Sequence, residues 1–199
     1  MESLSEEIIF TILDYLDSAS SKSFSATSKS FHSLESRHCK TLKLLHPDSL
    51  LADLRRYRRI DFTNCPSADD GVISAATEAY YATLRSVDLS RSRLFTHATL
   101  SLLAAKCGGL VELDLSNATE LRDAAAAAMA EARNLEKLWM GRCWLVSDIG
   151  IGCIAVGCKK LKLLSLKWCV TITDLGAGLL ANKCTLLCAL GSKSKSVSS

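Results

Sequence analysis

Apolar residues recur along most of this chain with a period near 26. The segment LEKLWMGRCWLVSDIGIGCIAVGCKK, from Leu135, is followed at once by LKLLSLKWCVTITDLGAGLLANKCTL, from Leu161. Leu135, Leu138, Met140, Cys143, Asp148, Gly150, Ile154, Ala155 and Cys158 match Leu161, Leu164, Leu166, Cys169, Asp174, Gly176, Leu180, Ala181 and Cys184. Earlier copies open at Tyr57, Leu84 and Leu110, so the steps between the five starts are 27, 26, 25 and 26. A fixed period of this length is the mark of a repeat architecture.

Each copy divides into two physical halves. The front, L-x-x-L-x-L-x-x-C, alternates with period 2 and predicts a short strand with one buried face. The back opens at a hydroxyl or acidic residue such as Ser147 or Asp148, which predicts a helix cap. Apolar residues then follow at helical spacing: Ile151, Ile154, Ala155 and Cys158; Ala177, Leu180, Ala181 and Cys184; Leu100, Leu103, Ala104 and Cys107. One strand and one helix cannot bury their apolar faces alone, so the copies must stack into a continuous core. The expected fold is an α/β solenoid of about five repeats over residues 57–190. It resembles the cysteine-containing class of leucine-rich repeats.

Residues 1–45 do not follow the repeat. Leu4, Ile8, Ile9, Ile12, Leu13 and Leu16 stand at helical spacing, with Ser3 and Glu6 placed as a capping box. A Ser-rich turn (Ser18–Ser23) and a second apolar set of Phe24, Phe31, Leu34 and Leu42 follow. This predicts a small helical unit, too small to be stable by itself, and a connecting segment over residues 46–56. The stretch LSEEIIFTILDYLD resembles the opening helix of an F-box, and TSKSF (Thr27–Phe31) resembles a later element of the same motif. Ser5 stands where the family usually has Pro, and Thr27 where it usually has a larger aliphatic residue. An F-box followed by cysteine-type repeats is similar to the plant-type F-box/leucine-rich-repeat substrate receptors.

The resemblance implies a Skp-type adaptor as partner, a cullin held through it, and a protein substrate on the repeats. It implies adaptor contacts by Leu4, Ser5, Ile8, Ile12, Leu13, Leu16 and Phe31. It also implies an intracellular location, in the nucleus, the cytoplasm or both. Family members carry many more repeats, whereas here Ser192 stands where the next strand leucine belongs and the chain closes on SKSKSVSS. The expectation is therefore a C-terminally truncated form with a disordered tail over residues 191–199. The last coil should then leave part of Leu166, Cys169, Leu180 and Cys184 bare.

Composition narrows the chemistry. With 24 basic and 21 acidic residues the net charge is +3, too mild to call for nucleic acid. The acidic start MESLSEEII is unlike a secretory signal, and the small-residue run Ala124–Ala130 is far too short to span a bilayer. The nine cysteines include two lanes: Cys65, Cys143 and Cys169 share one repeat position, and Cys107, Cys158 and Cys184 share another. Small buried thiols between coils explain the lanes; without a C-x-x-C pair, zinc is not expected. Asp123, Asp148 and Asp174 align as helix caps. The four histidines sit in separate segments, and the Arg55, Arg56, Arg58 and Arg59 cluster reads as a solvated face. No catalytic residues, metal or cofactor are expected.

Positions between the strand leucines should line the inner wall. The first three copies place there Asp61, Thr63, Asn64, Asp88, Ser90, Arg91, Asp114, Ser116 and Asn117; the last two bring Trp139, Gly141, Arg142, Ser165, Lys167 and Trp168. Trp and Arg dominate binding hot spots, so Trp139, Arg142, Lys167 and Trp168 are the expected substrate-binding residues. The alternative is a repeat-only scaffold whose N-terminal helices merely cap the solenoid.

Overall fold

A computed structural model describes residues 5–16, 18–31, 34, 41–44 and 57–191. The chain divides into two compact units, residues 1–40 and 41–199. In the first, helices α1 (Glu6–Tyr15) and α2 (Ser18–Ser25) lead to a helical turn at 29–31. Ile9, Leu13 and Leu34 form its buried centre, with Leu16, Phe24 and Phe31 packed against them. Ser5 stands at the α1 N-cap position without a side-chain bond. The Ser3 capping box and Leu4 lie outside the described residues.

The second unit is a seven-stranded, wholly parallel sheet whose strands pair in sequence order. The elements run β1 (Thr41–Lys43), β2 (Arg59–Asp61), α3 (Asp70–Tyr80), β3 (Ser86–Asp88), α4 (His97–Lys106), β4 (Glu112–Asp114) and α5 (Asp123–Met129). They continue through β5 (Lys137–Trp139), α6 (Asp148–Gly157), β6 (Leu163–Ser165), α7 (Asp174–Lys183) and β7 (Ala189–Gly191). Ile60, Val87, Leu113, Leu138 and Leu164 are in register across the sheet and buried beneath it. The expected α/β leucine-rich-repeat solenoid is thus the fold.

The sheet begins earlier than the repeat count implies. Leu42 and Leu44 repeat the strand alternation, and Leu42 pairs with Ile60. Thr41–Leu44 therefore belong to the sheet and not to the helical unit; the short step from Leu42 to Ile60 hid the copy. At the other end Leu190 pairs with Leu164. Leu166, Leu180 and Cys184 remain buried, and of the four residues expected to be bare only Cys169 is half-exposed. Leu187 packs against this end of the core. The expected burial of Ala177 and Ala181 does not hold, since Ala177 is half-buried and Ala181 exposed. Their counterparts Ile151 and Ala155 are covered by α7, whereas among the described residues no helix follows α7.

The aligned aspartates do not cap their own helices. The N-caps are Asp69, Thr96, Ser147 and Thr173, each accepting a bond from its helix's first turn. Asp70, Asp123 and Asp148, at the first position of their helices, reach the next coil instead. Asp123 accepts from the Ser147 N–H (2.8 Å), the Ser147 hydroxyl (2.7 Å) and the Gly150 N–H (3.2 Å). Asp148 repeats this with the Thr173 N–H (2.9 Å), the Thr173 hydroxyl (2.6 Å) and the Gly176 N–H (3.1 Å). Asp70 takes the Thr96 N–H and hydroxyl and the Thr99 hydroxyl. Glycine is required in the Asp123 rung: a Cβ on Gly150 would stand 2.5 Å from the Asp123 carboxylate. Between α4 and α5 the rung is missing, because His97 holds the aspartate position and Arg122 is an N-cap without a side-chain bond.

This ladder has a pH signature. The Thr173 hydroxyl, then the Thr173 N–H, hold the Asp148 carboxyl below its ordinary value against the opposing effect of burial, with a lesser contribution from the Gly176 N–H. A lowered folded pKa contributes stability that is present above about pH 4 and lost as pH falls through the folded pKa. Asp148→Asn should therefore lower stability at pH 7 and make it less sensitive to acid below about pH 4. Urea midpoints across that range check this; an unchanged acid slope would reject the rung as a stabilising contact.

Both cysteine lanes are donors as well as fillers. Cys143 gives its thiol hydrogen to the Leu115 carbonyl (3.3 Å), Cys169 to Met140 (3.0 Å) and Cys158 to Met129 (3.3 Å), each in the preceding coil. Cys107, Cys158 and Cys184 are the C-cap residues of their helices. Burial pushes the thiols of Cys143 and Cys158 up to about 12 and that of Cys107 up to about 11. Cys188 is exposed and Cys153 half-exposed. Among the described cysteines, iodoacetamide at pH 8 should label Cys188 first, the half-exposed Cys153 and Cys169 more slowly, and the buried lane cysteines only after denaturation. Peptide mass spectrometry reads the order; early alkylation of Cys143 would contradict the packing.

Candidate functional site

Two surfaces carry the residues with chemistry to offer. The first is α1. Its i, i+4 spacing sends Ile9 and Leu13 into the unit's core, 5% and 4% exposed. The same spacing leaves Ile8, Ile12 and Tyr15 on the open side, 49%, 39% and 88% exposed. The expected adaptor set is therefore divided. Ser5, Ile8 and Ile12 are exposed, Leu13 is core, and Leu16 and Phe31 are half-buried against the core, Phe31 stacking on Phe24 at 4.5 Å. Tyr15 was missed, although its place three residues after Ile12 puts it on the same helical face.

The second surface is the sheet face turned away from the helices, with the turns that leave it. In the early coils it is self-satisfied. Asp61, Asp88 and Asp114 each accept the backbone N–H two residues on, from Thr63, Ser90 and Ser116. Burial pushes the Asp114 carboxyl up in spite of the Ser116 bonds. Arg59 is no free solvated cation: it bridges β2 to Asp88 at 3.2 Å and lies 3.9 Å from Glu112, which also holds Lys137 at 2.7 Å. Lys162 pairs with Glu136 at 2.8 Å.

The late coils differ. Trp139 and Ser165 replace the aspartates, and the turns after β5 and β6 carry Arg142 and Trp168. Those two residues have φ of 63° and 67°, the left-handed region that costs a non-glycine residue about 1 kcal/mol. Asn117 holds the same conformation, φ 66°, as Asn readily does, and its amide donates to the Ser90 carbonyl. The turn is enforced by the neighbouring coil: the Asn117 N–H bonds Gly141 O at 2.7 Å, and the Arg142 N–H bonds Lys167 O at 2.8 Å. Bulky residues at such positions project outward from a rigid turn. Strained backbone of this kind gathers at binding sites.

Arg142, Trp144, Trp168 and Val170 enclose an open hollow of about 690 Å³. Because 142 matches 168 and 144 matches 170 in consecutive coils, the repeat itself brings the four together. Of the expected substrate residues, Arg142 and Trp168 line the hollow and Lys167 is exposed beside it. Trp139 is half-buried on the adjoining sheet face. Trp144 and Val170 were missed, though they follow the lane cysteines Cys143 and Cys169 directly and cannot share their burial. Pro66, Ser90, Arg91, Arg93 and Asn117 line a polar hollow at the corresponding turns of earlier coils. Among the described residues, no three His, Cys, Asp or Glu side chains converge as metal ligands.

Comparison with known proteins places an F-box domain at residues 1–43. The fold is similar to a chain of the crystal structure of the Rad7 and Elc1 complex in yeast, with a TM-score of 0.55 at 17% identity. The similarity covers 77% of this chain and 42% of that one.

Proposed function

We propose that this chain is the substrate-recognition subunit of a Skp–cullin–F-box ubiquitin ligase. The F-box holds a Skp-type adaptor and, through it, a cullin; the repeats hold a protein substrate for ubiquitin-dependent proteasomal degradation. One observation carries the reading: the F-box match over residues 1–43 coincides with a helix that buries Ile9 and Leu13 while leaving Ile8, Ile12 and Tyr15 uncovered. The similarity to a structure solved as a two-protein complex supports a partner-binding role.

In this reading the chain itself breaks and makes no bonds. It raises the effective concentration of substrate near the ubiquitin donor, as any tethered receptor does. Its place of action is the nucleus, the cytoplasm or both, where such ligases work. The test is size-exclusion chromatography of the purified full chain mixed with a Skp-type adaptor. Co-elution at one-to-one stoichiometry is expected. Separate elution at micromolar concentrations rejects the reading in favour of a repeat-only scaffold.

A further inference from the structure

We infer that the turn edge of the solenoid, from β3 to β6, is a docking strip for an acidic peptide segment anchored by an apolar side chain. This rests on the receptor reading and names the chemistry of what the repeats would hold. Two kinds of residue define the strip. Arg91, Arg93, Arg142 and Lys167 are exposed along it, and none has an ion-pair partner among the described residues. Three cations on and beside the strands are differently placed: Arg59, Lys137 and Lys162 are each matched to a carboxylate of an adjacent coil. Four unmatched cations thus gather along the edge, with one carboxylate, Glu120, sharing a small hollow with Arg93.

The apolar element is equally local. Trp144, Trp168 and Val170 are 47%, 51% and 61% exposed, and they wall the hollow beside Arg142. Aromatic walls with a flanking guanidinium are the composition of a binding hot spot. The polar hollow at Arg91, Arg93 and Asn117 lies at the same turn positions of the preceding coils. With strands about 4.8 Å apart, three coil steps span roughly 14 Å, the length of about four extended residues. An extended segment can thus seat an aliphatic or aromatic side chain between Trp144 and Trp168 while its carboxylates reach Arg91, Arg93, Arg142 and Lys167. A single strand of nucleic acid fits less well, because the overall charge is only +3 and such sites rely on a cationic groove along the whole backbone.

All three tryptophans of the chain, Trp139, Trp144 and Trp168, lie in this region, so intrinsic fluorescence reports on it alone. The test titrates the full chain with a fluorescein-labelled decapeptide carrying a leucine–phenylalanine pair between runs of glutamate and aspartate. Saturable binding with a change in tryptophan emission, weakened by added salt, is expected. Arg142→Glu and Trp168→Asn should each weaken it by roughly tenfold or more. Asn suits the left-handed turn, so Trp168→Asn should fold, and circular dichroism checks this. Equal binding of a peptide with serines in place of the apolar pair, of a lysine-flanked version, or of an oligouridylate would overturn the proposal, as would unchanged binding by Trp168→Asn. Adaptor co-elution is scored separately. An adaptor-competent chain that ignores the acidic peptide refutes the strip and leaves the receptor reading standing; a peptide-binding chain that ignores the adaptor does the reverse.

Discussion

Gly157→Ala should destabilise the solenoid by about 3 kcal/mol, at the upper end of what overpacking usually costs. Gly157 closes α6 where that helix crosses α5. A Cβ built there would stand 2.0 Å from the Ala130 carbonyl oxygen and 2.5 Å from the Ala130 Cα. Those atoms are backbone, so no rotamer change relieves the contact and the coils must separate. The separation would also strain the Cys158 thiol bond to Met129 O, which crosses the same junction. Alanine is otherwise the better helix residue by about 1 kcal/mol, so intrinsic propensity alone predicts the opposite sign. Gly178 in α7 provides the control: a Cβ there meets nothing within 4 Å. Gly178→Ala should stabilise by roughly 0.5–1 kcal/mol. Urea titrations of both variants, with m-values compared to confirm an unchanged native state, read the pair. If Gly157→Ala is neutral, the close approach of α5 and α6 is wrong.

Replacing both Ile8 and Ile12 by Asp should weaken adaptor binding by about a hundredfold or more, because each carboxylate would be buried unpaired against the partner. Both side chains are substantially exposed in the free chain, so helicity and unfolding should change little. The choice of residues matters. Leu16 shares the amphipathic spacing but packs against Ile9, Leu13 and Leu34, so Leu16→Asp would confuse loss of fold with loss of binding. Leu13→Asp, at 4% exposure, should unfold the unit outright. Calorimetric titration with the adaptor, alongside circular dichroism of each variant, separates these effects. A folded Ile8/Ile12 double variant that binds as tightly as the parent removes α1's open face from the adaptor interface.

The sequence by itself determined the period, and with it the solenoid. Side chains at Leu113, Leu138 and Leu164, 25 and 26 residues apart, can be buried together only if the coils are nearly equal in length and the strands share one register. Spacing alone therefore encodes the parallel sheet and the core. It encoded the positions of the cysteine lanes as well, since 143 and 169, or 158 and 184, fall at equal places in their coils. Spacing does not encode what a polar group bonds to. Asp123 and Asp148 look like caps of their own helices, and only the stacking distance turns them into grips on the next coil. The same holds for the thiols, whose acceptors lie 28 or 29 residues earlier in the chain.

Exposure at the edges was likewise a tertiary decision. Amphipathic spacing marks Ile8, Leu13 and Leu16 alike as apolar, but which of them faces the unit's own core depends on where Leu34 and Phe31 return. Arg142 and Trp168 were legible as outward residues from the strand alternation. Their hollow was not, because it also needs Trp144 and Val170, which follow a left-handed turn that no pattern of apolar and polar positions records. At Arg142 the neighbouring coil holds that turn, because the Lys167 carbonyl accepts the Arg142 N–H. Periodicity specifies which residues are equivalent, and hydrogen bonds between coils then decide which way each of them faces.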